Sequence, residues 1–83
     1  MSNADGLLEK ARNFPNNIKF DELCSLAESF GYVFKRQNGS HQLYAHPDSG
    51  SLMNFQSDKG KAKPYQVRQL LKAINLQESD SEE

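Results

Sequence analysis

Eighty-three residues, 36% hydrophobic and 25% charged, predict one small soluble domain, 1–83, with a modest core. No apolar run approaches the ~20 residues of a membrane span, and the N-terminus lacks the basic-then-apolar order of a secretory signal, so the default address is the cytosol. The formal charge of −1 conceals a segregation: residues 1–32 carry three basic against five acidic side chains, residues 33–72 seven against two, and residues 73–83 none against four. The basic middle suits an anionic ligand, and equally a solvated surface.

Ser2-Asn3-Ala4 reads as the remnant of a cleaved expression tag, which puts the natural start near Asp5. Leu7, Leu8, Ala11 and Phe14 follow helical spacing until Pro15 and Asn16-Asn17 stop it. This short helix belongs to an N-terminal extension, 1–17. A second helix follows in which Phe20, Leu23, Cys24, Ala27 and Phe30 make one apolar stripe, with Asp21 as N-cap and Gly31 past the end. Cys24, the single cysteine, excludes an internal disulfide and reads as a small core residue.

From Tyr32 the period becomes two. Tyr32, Phe34 and Arg36 are expected on one side of a strand, Val33 and Lys35 on the other. Asn38-Gly39 predicts a type I′ hairpin turn, in which both central residues take positive φ. On the second strand His41, Leu43 and Ala45 face one way and Gln42, Tyr44 and His46 the other. Pro47 to Gly50 reads as a turn, Leu52 to Phe55 as a third strand, and Ser57 to Lys63 as an exposed loop. Pro64 then opens a helix whose Val67, Leu70, Leu71 and Ile74 form an amphipathic stripe, and residues 77–83 make an acidic, disordered tail. The order α-α-β-β-β-α defines an α+β fold: a three-stranded antiparallel sheet with helices on one face and the other face open.

His41 is the strongest catalytic candidate. Imidazole, with an ordinary pKa of ~6.5, takes or gives a proton at neutral pH, although a rim histidine bonded to a turn carbonyl is the commoner case. The setting favours chemistry: Gly39 leaves room for substrate, Ser40 can orient a phosphate or the ring, and Lys35 and Arg36 lie on the paired strand. His46, an odd number of residues away, falls on the opposite face, so the two rings form no acid–base pair and no zinc site is expected. Ser40 and His41 are sequence neighbours that point apart, so they are no nucleophile–base pair. Lys59, Lys61 and Lys63 precede a helix start, which attracts anions, though a solubilising loop explains them as well. Tyr44 and Tyr65 can either stack on bases or pack in the core. Neither a dinucleotide-binding nor a P-loop motif is present.

Gly31-Tyr32, Lys35-Arg36, Gly39-Ser40-His41 and Lys61-Ala62-Lys63-Pro64-Tyr65-Gln66-Val67-Arg68-Gln69-Leu70-Leu71 together resemble the HicA family of toxins from bacterial toxin–antitoxin pairs, over a core of residues 18–76. The resemblance implies a fold like the double-stranded RNA-binding domain, mRNA cleavage with His41 as the catalytic residue, and a HicB antitoxin whose N-terminal domain covers that site. Many members carry a second histidine directly after the first, where this chain has Gln42. The reading that follows is an endoribonuclease that needs no metal or other cofactor. His41 is its general base, and Gly39, Ser40, Lys35, Arg36, Lys59, Lys61 and Lys63 bind RNA. The alternatives are a non-catalytic RNA-binding module and a protein-interaction domain on the same fold.

Overall fold

The change of period along the chain translates into helices packed on one face of a twisted antiparallel sheet. The computed structural model describes residues 3–81, with side chains from Gly6 to Asn75. The elements are α1 (Asn3–Asn13), a 3-10 turn (Pro15–Asn17), α2 (Phe20–Ser29), β1 (Val33–Asn38), β2 (His41–Ala45), β3 (Leu52–Asp58), β4 (Lys61–Ala62) and α3 (Pro64–Ser81). The strands pair in the order β1-β2-β3-β4. Tyr44, Met53 and Phe55 turn inward to meet Leu23, Leu26, Val67, Leu70 and Ile74 of the helices. Full burial of side chains such as Phe55 and Leu23 is worth about 1.5–3 kcal/mol each.

The helix α1 packs against α2 and α3 and buries Ala11 completely. Phe14, expected on its apolar stripe, lies beyond the last helical residue and is 58% exposed. The N-cap of α2 is Lys19 rather than Asp21, because Glu22 reaches back three residues and accepts the Lys19 N–H at 2.9 Å. The same carboxylate pairs with Lys10 of α1 at 3.1 Å. These contacts hold its carboxyl below the usual range, the Lys19 backbone N–H first, with Lys10 adding to it against the opposing effect of burial.

The far end of α2 closes in a Schellman motif. Gly31 takes φ +97°, its N–H bonds to the Glu28 carbonyl, and the Tyr32 N–H bonds to the Ala27 carbonyl, each at 3.1 Å. His46 seals this corner. Its Nδ1 accepts the N–H groups of Asp48 and Ser49, so the proton sits on Nε2, which donates to the Phe30 carbonyl at 3.0 Å. A Cβ on Gly31 would stand 2.7 Å from that Nε2.

Residues 57–63 are the main departure from the expected loop. The third strand runs on to Asp58, and a hairpin brings back β4, with Ser57 opposite Ala62 and Asp58 opposite Lys61. Lys59 and Gly60 both have positive φ, +55° and +83°, as a type I′ turn requires. On its other side Lys61 bridges to Lys19, and the Ala62 N–H donates to the Ile18 carbonyl at 2.9 Å. Ala62 is large enough to pack there, at 5% exposure. The helix α3 begins at Pro64 as expected and continues to Ser81, because neither glycine nor proline follows Leu76 to stop it. A tail is thus replaced by helix up to Ser81, and Glu82 and Glu83 lie outside the described residues.

Candidate functional site

The hairpin that presents His41 turns one residue later than Asn38-Gly39 predicts. Asn38 is still in β1, paired directly with His41, so the two turn residues are Gly39 and Ser40. Gly39 has φ +64° while Asn38 and Ser40 are absent from the positive-φ residues, the pattern of a type II′ turn with glycine first. A Cβ on Gly39 would meet nothing within 4 Å. The backbone conformation thus calls for glycine here, and a side chain would project into open space. The Ser40 carbonyl accepts the Ser57 N–H at 3.0 Å, which ties the hairpin tip to β3.

A bulge decides which cation accompanies the histidine. Phe34 pairs with Tyr44, but Arg36 pairs with Leu43, so two steps along β1 match one along β2 and Lys35 is the extra residue. Phe34 stays on the helix side, its ring edge-on to Tyr44 at 5.7 Å. Arg36 crosses to the open face, against the expectation that it shares a side with Phe34. Three cross-strand rows then cover the open face: Asn38, His41 and Gln56; Arg36, Leu43 and Asn54; Val33, Ala45 and Leu52.

His41 is exposed and lines two clefts. The first, about 360 Å³, is walled by Arg36, Asn38, Leu43 and Asn54. The second, about 470 Å³, is walled by Leu43, Leu52 and Asn54 of the sheet and by Tyr65, Gln66 and Gln69 of α3. Both volumes fall within the ~300–1,000 Å³ typical of small-molecule sites. Among the described residues Arg36 is the cation that lines a cleft, and no lysine lines either.

The lysines surround the site rather than form it. Lys35 is exposed at the bulge, Lys59 occupies a turn, and Lys63 is the residue whose carbonyl receives the first α3 N–H groups. Lys61 alternates with buried Ala62 and so faces the open side, opposite Asp58. Asp58 lies two residues, about 7 Å, along β3 from the partner of His41. Continued by one step past Ala62, the same register sets Lys63 opposite Gln56, so Lys63 is the lysine nearest to the row of His41.

The neighbouring residues divide as strand alternation requires. Gln42 points under the sheet, where its Oε1 accepts from the Tyr44 hydroxyl at 3.1 Å and from the Cys24 thiol at 3.7 Å. Burial pushes both the thiol and the phenol upward in pKa, so neither is ready to ionise. Any side chain at position 42 is cut off from the clefts by the sheet itself. Of the two tyrosines weighed as stacking groups, Tyr44 is core at 3% exposure and Tyr65 is 60% exposed on a cleft wall. Asn38, Asn54 and Gln69 are cleft residues that sequence reasoning passed over. Asn54 was recoverable, since it alternates with apolar Met53 and Phe55 and so had to face outward. Among the described residues no three His, Cys, Asp or Glu side chains gather as a metal site would need.

The fold and this open face define a small α+β protein of the double-stranded RNA-binding-domain type, with a surface histidine beside an arginine. The chain belongs to the HicA family: the family model described as HicA toxin of bacterial toxin–antitoxin matches residues 20–76. No curated protein and no solved structure matches it. No helix among the described residues is long and apolar enough to cross a membrane.

Proposed function

We propose that this toxin is an endoribonuclease that cleaves mRNA, with His41 as general base. The observation that carries the reading is the position of His41, exposed where two adjoining clefts meet, with Arg36 delivered to the same face by the bulge. The imidazole takes the proton of a ribose 2′-hydroxyl. The 2′-oxygen then bonds to the adjacent phosphorus as the bond from phosphorus to the 5′-oxygen breaks. The departing 5′-oxygen takes a proton from water or from the imidazolium, and the fragments end in a 2′,3′-cyclic phosphate and a 5′-hydroxyl. The nucleophile comes from the substrate, so the step draws on no metal-bound water. Arg36 meets the charge that grows on the phosphoryl oxygens, and Gly39, Ser40, Lys35, Lys59, Lys61 and Lys63 hold flanking phosphates without reading sequence.

A HicB-like antitoxin is the partner this face fits. Val33 and Leu52, 47% and 63% exposed, form an apolar row beside the clefts. His41 lies four residues, about 13 Å, along β2 from Ala45 of that row, so a partner that spanned the whole open face would cover both. Purified His41→Ala protein should lose about 10²–10⁴-fold in cleavage rate while still binding RNA. If wild type and variant both bind RNA and neither cleaves it, the protein is a binding module; cleavage left intact by the substitution removes His41 from the mechanism.

A further inference from the structure

We infer that the cleft between β3 and α3 takes the unpaired nucleobase of the nucleotide whose 2′-oxygen attacks, stacked on Tyr65, which makes single-stranded RNA the substrate. The inference rests on the ribonuclease reading and adds to it the form of RNA and the residue that grips it.

Tyr65 stands in the first turn of α3 with 60% of its surface exposed. Its hydroxyl is nevertheless held. Gln66, only 5% exposed, lies along the free edge of β3, where its Oε1 accepts the Gln56 N–H at 2.8 Å and its Nε2 donates to the Asn54 carbonyl at 2.9 Å. The other Nε2 hydrogen goes to the Tyr65 hydroxyl at 3.3 Å. One buried amide thus supports the strand that carries Asn54 and restrains the ring that faces it across the cleft.

The two clefts differ in the ligand they suit. The one lined by Arg36 suits a phosphate. The other has no cation among its described lining residues; Tyr65, Leu43 and Leu52 supply apolar surface and Asn54 and Gln69 supply amides. A flat, neutral group with hydrogen-bonding edges fits such a wall, and a nucleobase is that group. His41 lines both clefts, as the sugar between a base and its 3′-phosphate would require. A base placed there cannot be paired in a duplex.

The test uses a single-stranded oligoribonucleotide carrying 2-aminopurine just 5′ of the bond that wild type cleaves, the same strand annealed to its complement, and the non-cleaving His41→Ala protein. The single strand should bind more tightly than the duplex, and 2-aminopurine fluorescence should fall on binding as the base stacks. Adding Tyr65→Ala should weaken binding about tenfold or more and abolish the fluorescence change, whereas Tyr65→Phe should keep both. Equal affinity for single strand and duplex, or a Tyr65→Ala protein that behaves as its parent, overturns the inference and leaves the cleavage activity of wild type standing. If wild type cleaves nothing, the label is moved along the strand in turn. A Tyr65-dependent fluorescence change then upholds the base site without the ribonuclease, and no binding at all overturns both.

Discussion

His41 and His46 are five positions apart and do opposite work. His41 is exposed and bordered by clefts, whereas His46 spends both ring nitrogens on backbone groups of two different segments. His46→Ala frees the Phe30 carbonyl and two N–H groups in a mostly buried corner and should cost about 1–3 kcal/mol. A denaturant titration measures this, and RNA cleavage well below the unfolding midpoint should remain. The contrast with His41→Ala, which should leave stability unchanged and remove cleavage, separates scaffold from chemistry. The opposite faces of the two rings were legible from spacing alone. Arg36 was not, because a bulge adds one residue without any glycine or proline to announce it, and strict alternation then puts every later residue of the strand on the wrong side.

At the scale of elements, the helices were read from apolar spacing and the hairpins from turn residues, and the two signals fared differently. Spacing integrates over many residues, so α2 and α3 start close to where their sequences predict. A turn depends on two φ angles. Asn38-Gly39 has the composition of a type I′ turn, yet the cross-strand pairing of Asn38 with His41 moves the turn one residue on, and the type I′ geometry appears at Lys59-Gly60 instead. Lysine is a poor occupant of that position, since a left-handed conformation costs a residue with an ordinary Cβ roughly 1–2 kcal/mol, and asparagine tolerates it better. Lys59→Asn should therefore raise the unfolding midpoint, by about 4–8 °C for each kcal/mol recovered in a domain of this size. Differential scanning calorimetry checks the shift. An unchanged or lower midpoint would show that the turn is not under this strain.

At the scale of the whole molecule, α1 and α2 are joined through Glu22, which takes the Lys19 N–H and the Lys10 ammonium. A carboxyl whose folded pKa is depressed contributes stability that is fully present above its unfolded value of about 4.5 and disappears as the pH falls through the lower folded value. Wild type should therefore lose thermal stability on acidification below that range, and Glu22→Gln, already less stable at neutral pH, should lose less. Midpoints measured across the acid range for both proteins decide it: parallel curves would remove Glu22 from the acid response. The helix α1 was expected as an extension outside the family core. Its Ala11 is fully buried and its Lys10 is tied to α2, so residues before the matched segment help to build the layer beneath the sheet.

The extra residue at Lys35 has one more consequence. It works as a phase switch halfway along a six-residue strand: before it, the odd-numbered side chain Val33 reaches the open face, and after it the even-numbered Arg36 and Asn38 do. The two halves of β1 therefore answer to different neighbours. Phe34 can be tuned for its ring contact with Tyr44 without disturbing the groove, and Arg36 and Asn38 can drift with the ligand without loosening the interior. A single spacer has separated the residues that pack from those that line the groove within one short ribbon of chain.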